Sequence, residues 1–181
     1  MGKQYTAIGD DHAAFIRRQK IYFTASAAAD GRVNVSPKGM DSLRVLSPNQ
    51  VAWLNLTGSS NETAAHLREN DRLTLMFCAF EGDALILRLY GHARALHPRD
   101  EEWGEMLALF PPYPGPRQIV LMDVDLVQTS CGAGVSLFDY QGERDTLLHW
   151  AEKKGPEGVR EYWERKNSTS LDGKPTGIIE V

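Results

Sequence analysis

Few side chains in this sequence have the type and spacing for bond-making chemistry, and most of them stand alone. The five histidines, His12, His66, His92, His97 and His149, show no i,i+3 or i,i+4 spacing among themselves, and no cysteine lies beside them. That pattern predicts no metal site. Cys78 and Cys131 are far apart and neither belongs to a Cys-x-x-Cys pair; Cys78 lies in an apolar run, where a thiol packs as a small hydrophobe. Ser59 and Ser60 are not framed by the Gly-x-Ser-x-Gly elbow that presents a nucleophile. No catalytic acid, base or nucleophile is assigned.

Binding groups are easier to find. Gly58-Ser59-Ser60-Asn61-Glu62-Thr63 is a turn-rich segment that opens a helix. Free backbone N–H groups and a partial positive charge at such an opening suit an anion such as phosphate, with Ser59, Asn61 and Thr63 adding donors. The same residues also serve simply as an N-cap, and Glu62 opposes an anion unless its side chain turns away. Lys38 follows a strand in Ser36-Pro37-Lys38-Gly39 and can neutralise a phosphate if the fold brings it to that loop. Arg88 and Arg94 form a second cationic group on one strand face.

These residues sit on a mainly β chain. A short helix opens at Asp10-Asp11 and ends near Gln19. Strands are predicted over 21–28 and 32–36, joined at Asp30-Gly31, then over 51–56, 72–80, 84–96 and 119–129. Glu81-Gly82-Asp83 turns one hairpin, and a helix covers 62–69. In the long strand Leu85, Leu87, Leu89, Gly91, Ala93 and Ala95 share an apolar face, against Arg88, Tyr90, His92 and Arg94. Val120, Met122, Val124 and Leu126 alternate in the same way along the last strand. A helix from Pro98 to Phe110, a Pro-rich connector over 111–116, and two helices over 144–154 and 157–166 split by Gly155-Pro156 complete the reading. Gly173 and Pro175 leave a loose tail. Six short antiparallel strands favour a small barrel over a doubly wound sheet.

With 181 residues, 42% of them hydrophobic and 24% charged, the chain fits one globular unit. We expect a barrel domain over 1–135 and a helical extension over 136–181, packed on the barrel or on a partner subunit. A net charge of −4 gives no bulk attraction to nucleic acid. No apolar run is long enough to span a bilayer and no apolar leader opens the chain, so neither membrane nor export is expected and the cytoplasm is.

Taken in order, Val33-Asn34-Val35-Ser36-Pro37-Lys38-Gly39, Val51-Ala52-Trp53-Leu54-Asn55, Gly58–Thr63 leading into Leu67–Leu73, and Leu87–Arg94 resemble the pyridoxamine 5'-phosphate oxidase-like, FMN-binding split-barrel family. The likeness covers about the first 130 residues. It implies a six-stranded antiparallel Greek-key split β-barrel with peripheral helices, and a homodimer with FMN sites at the subunit interface. It places Val35, Ser36 and Lys38 along the flavin and Asn55, Ser60, Asn61 and Thr63 around its phosphate and ribityl chain, with Arg88 in the cofactor-binding set. Where the oxidase carries an Arg-Lys pair for the phosphate, this chain has Glu62 and Thr63, so phosphate is held more weakly or differently. The oxidase's C-terminal Arg-Leu-His-Asp/Glu-Arg motif is absent, which argues against pyridoxamine phosphate as substrate.

Three functions follow from that resemblance. One is an FMN-dependent oxidoreductase acting on a small organic substrate, in which the ring carries the electrons. A second is a non-catalytic flavin or tetrapyrrole binder or sensor, and a third is a reductase using a deazaflavin in the same barrel.

Overall fold

Strands joined by tight turns must run antiparallel, and every strand pairing among the described residues does. The computed structural model describes residues 2–179. Among them run β1 (Lys3–Tyr5), α1 (Asp10–Arg18), β2 (Tyr22–Ser26), β3 (Asn34–Lys38), β4 (Leu43–Ser47), β5 (Gln50–Leu56) and α2 (Glu62–Leu67). Then follow β6 (Arg72–Cys78), β7 (Ile86–Leu96), α3 (Trp103–Leu107), β8 (Pro116–Ser130), α4 (Thr146–Tyr162) and a π-helical turn, Trp163–Asn167. The strand order is β3-β2-β6-β7-β8-β5-β4, with β1 also on β8. Strands β3 and β4 end the sheet and do not pair, so the barrel is split rather than closed.

The long strands separate two apolar layers. Val51, Trp53, Leu75, Phe77, Leu87, Leu89 and Val120 belong to the larger core inside the curved sheet. Ala52, Leu54, Leu96, Ile119 and Leu121 face the other way and are covered by Trp103 and Met106 of α3. The fold is therefore the antiparallel split barrel with peripheral helices that the sequence implied, with eight strands in place of six. The added pieces are β1, only three residues long, and β4, whose Leu-Arg-Val-Leu-Ser has no alternation to announce it.

Several boundaries differ from expectation for identifiable reasons. Strand β3 runs through Pro37 to Lys38, so Lys38 belongs to a strand and not to a loop; an edge strand tolerates proline because its outer N–H has no partner to lose. Helix α3 covers only Trp103–Leu107 because turns occupy the stretch after Pro98. In β8 a bulge at Asp125 breaks the alternation: Tyr90 pairs with Leu126 but Gly91 pairs with Val124. The extra residue sends Val127 inward, fully buried, and leaves Leu126 only half-buried. Gly155 breaks α4 with φ 65° and ψ 172°, a backbone open to glycine, and Pro156 after it cannot donate to the preceding turn.

The tail is not loose. Lys174 Nζ donates to Glu69 at 2.9 Å and to Asp30 at 2.6 Å, and Asp172 accepts from the Arg32 backbone N–H at 2.7 Å and pairs with its guanidinium. Charged residues around Gly173 thus anchor the segment to the barrel rather than solvate it.

Candidate functional site

Alternation along β3 puts Asn34, Ser36 and Lys38 on one face, opposite Ser26, Thr24 and Tyr22 of β2. Those three partners are buried, so this face looks into the barrel. Lys38 Nζ donates to Asn55 Oδ1 of β5 at 3.3 Å and lies 5.6 Å from the centre of the Trp53 ring. Since β3 and β5 lie near opposite ends of the strand order, this contact spans the split. Asn55 Nδ2 donates to Gln118 Oε1 at 3.2 Å, and Gln118 Nε2 lies 3.2 Å from His97 Nε2. Asn55, Gln118 and His97 are all buried, so a row of polar side chains backs the lysine.

Next to it, α2 opens onto the same face. Thr63 Oγ1 accepts from Asn34 Nδ2 at 3.2 Å and from Ser26 Oγ at 3.1 Å. Ser26 Oγ also shares a hydrogen bond with His66 Nδ1 at 3.0 Å, and Ser36 Oγ donates to Asn34 Oδ1 at 3.2 Å. Ser36, Lys38, Asn55 and Thr63 therefore converge on one inner rim.

A residue that the sequence reading passed over completes the charge pattern. Strand β8 bulges where Asn55 pairs with Gln118 but Leu56 pairs with Pro116, so Arg117 is the extra residue. It is 2% exposed, and its Nη1 donates to the Ser60 carbonyl at 2.9 Å and the Gly58 carbonyl at 3.4 Å. Its Nε has no partner. Burial lowers the pKa of both cations; the Lys38 ammonium is brought to about 8, first by desolvation and second by the Arg117 charge. Neither has a carboxylate ion-pair partner among the described residues. Two desolvated cations without an acid form a place where negative charge is favourable.

The remaining predicted residues are placed differently. Asn61 is buried, with Nδ2 donating to the Asn167 carbonyl at 3.3 Å, so its amide is used on the C-terminal segment; its Oδ1 is unpartnered. Ser60 is exposed, and its carbonyl serves Arg117. Glu62 turns away from the rim, its two oxygens accepting the Leu171 N–H at 3.1 Å. Val35, 62% exposed, and Arg88, whose Nη1 donates to Ser130 Oγ at 3.2 Å, lie on the opposite face of the sheet. Arg117 was hidden because a bulge is not visible in a sequence, and Gln118 because amides carry no motif; the Pro-rich connector before them was the available signal.

No group of three or more His, Cys, Asp and Glu among the described residues could hold a metal ion. Among them no helix is long and apolar enough to cross a membrane.

Comparison with known proteins bears on this site. The sequence profile of the family described as pyridoxamine 5'-phosphate oxidase matches residues 8–131. The pyridoxamine 5'-phosphate oxidase family protein ustO of Aspergillus flavus is 36% identical over 189 residues, covering 94% of this chain and 76% of its own length. Among solved structures, HupZ of Group A Streptococcus is 18% identical with a TM-score of 0.54, covering 68% of this chain and 99% of that one. A protein of Lactobacillus delbrueckii is 20% identical with a TM-score of 0.53, over 68% of this chain and 94% of its own. At such identities these two structures show a shared fold.

Proposed function

Because this chain belongs to the pyridoxamine 5'-phosphate oxidase family, we propose that it is a cytoplasmic FMN-binding oxidoreductase acting on a small organic substrate. The observation that carries this reading is the pair of desolvated cations, Lys38 and Arg117, set without a carboxylate beside a rim of hydroxyl and amide groups. The donor set fits a phosphorylated, electron-accepting ring. Lys38 spends one N–H on Asn55 and keeps two for a ligand. Asn55, fixed in turn by Gln118, orients the ammonium. Ser36 and Thr63 offer hydroxyls for a polyol chain or phosphate, and Arg117 holds the 58–60 loop by its carbonyls.

FMN, when bound, supplies a ring that accepts and returns electrons, and the protein supplies orientation and electrostatics. With its pKa near 8, Lys38 is largely protonated at neutral pH and holds positive charge where electron density rises. No side chain on the rim is assigned as acid or base.

Val35 and Arg88 cannot touch the same ligand as Lys38 within one chain, because a sheet lies between them. Kept in the flavin set that the resemblance implies, they would reach the ring from a second chain, so the proposal includes a homodimer with its two flavin sites at the interface. Cys78 and Cys131, both free thiols, agree with a reducing compartment.

The test is the absorption spectrum of the purified protein followed by anaerobic addition of a nicotinamide donor. Flavin bands that bleach and return with oxygen are expected. Bands that never bleach with any donor make the protein a binder and not an oxidoreductase. A colourless protein that takes up deazaflavin but not FMN transfers the barrel to the other cofactor.

A further inference from the structure

Beside the flavin rim, on the same inner side of the barrel where Tyr22 pairs with Lys38, lies a cavity of about 730 Å³, and none of its lining residues belongs to the set proposed for FMN. Its walls come from α1, the β3–β4 turn, β4 and the strap of chain that leads into α4. Ile16, Leu43, Val45, Phe77 and Leu148 line it with apolar surface, and Tyr22, Tyr113 and Tyr140 add flat rings.

Its charges do not cancel. Arg44 is closed off by Asp41, with Nη1 at 2.6 Å and Nη2 at 2.9 Å from the two carboxylate oxygens. Glu143 is occupied by the Met40 N–H at 3.2 Å and the Tyr140 hydroxyl at 3.0 Å. Asp145 stands 3.7 Å from His149. Arg17, Lys20 and Arg144 remain without a carboxylate ion-pair partner among the described residues, so four cations face three acids, a balance of +1. Lys20 rests over the Tyr140 ring at 5.3 Å, which directs it along the cavity wall.

The backbone at this wall is also unusual. Met40 has φ 62°, the one non-glycine residue in the left-handed region among the described residues. Such a conformation is strained for a side chain with a Cβ and persists where the surroundings impose it, commonly at ligand sites. Here the Glu143 carboxylate and the strap hold it, so one set of contacts fixes the turn and shapes the cavity.

We propose that this cavity is a binding site for a small organic monoanion with a flat apolar body, its acid group held among Arg17, Lys20 and Arg144 and its rings among Phe77, Tyr113 and Tyr140. The volume matches ordinary small-ligand sites, which are mostly apolar with a few convergent polar groups.

The test uses two probes of equal shape, 2-naphthoate and its neutral counterpart 2-naphthamide, titrated onto the purified full chain by ligand-observed NMR. Naphthoate is expected to bind at least tenfold more tightly. The exposed double variant Arg17→Gln/Arg144→Gln, checked for folding by circular dichroism, should abolish that preference while leaving the amide unaffected. Leu148→Trp, which fills the cavity, should remove both. Equal binding of the two probes, no binding of either, or unchanged binding to Leu148→Trp overturns the proposal. Flavin uptake by the same samples reports separately on the other site.

Discussion

Lys38 keeps its charge in a setting that disfavours it. Burial next to Arg117 brings its pKa from 10.5 to about 8. Between those values the unfolded chain binds a proton that the folded chain has released, so stability rises with pH across that window. Below about pH 8 the whole cost of burying the ammonium is present. Lys38→Met is therefore expected to be more stable than the native chain at pH 7, by about 1–2 kcal/mol after losing the bond to Asn55. That advantage should shrink by pH 10. Urea unfolding at the two pH values checks it, and a variant destabilised at pH 7 contradicts it. A residue retained against stability points to binding. The likeness of Ser36, Lys38, Asn55 and Thr63 to a family pattern made these positions legible in the sequence. Arg117 was not legible, since its place depends on a bulge.

Strand alternation reveals which face is buried only while the register holds. The apolar series in β7 was readable because β7 has no inserted residue: Leu87, Leu89 and Ala93 are buried as their spacing demands. The series in β8 was readable only as far as Val124, because the insertion at Asp125 reverses the parity beyond it. Gly91 faces that insertion. A Cβ there would lie 1.9 Å from the Asp123 carbonyl oxygen, a contact with backbone that no rotamer relieves. Gly91→Ala should destabilise the protein by about 3 kcal/mol, measured as a lower urea midpoint with an unchanged slope. An unaltered midpoint would show that β7 and β8 separate easily at this point. The β4 strand escaped notice because its residues are half-buried on both faces, leaving no period to detect.

Across the whole molecule, the C-terminal segment reaches back to the helix-opening loop and to the β2–β3 turn. Asn167 Nδ2 donates to the Gly58 carbonyl at 3.1 Å, Trp163 Nε1 to Thr57 Oγ1 at 2.8 Å, and Asp172 clasps Arg32. None of these long-range pairs has a local signature, which is why a Gly- and Pro-bearing tail reads as loose. Hydrogen bonds from Arg32 hold the Asp172 carboxyl below the usual range, so its contribution is present at neutral pH and lost as pH falls through that lowered value. Asp172→Ala should speed hydrogen exchange at the Arg32 and Ser170 backbone amides at pH 7; equal exchange in variant and native chains counts against the clamp. The proposed homodimer predicts a dimer by light scattering, and Val35→Glu should dissociate it; a native monomer contradicts the shared site. The most direct measurement is an equilibrium titration of the native chain and Lys38→Met with FMN, followed by quenching of flavin fluorescence. Saturable binding at one FMN per chain, weakened at least tenfold in the variant, is the predicted result. Absence of saturable binding, or equal affinity of the two proteins, contradicts the account.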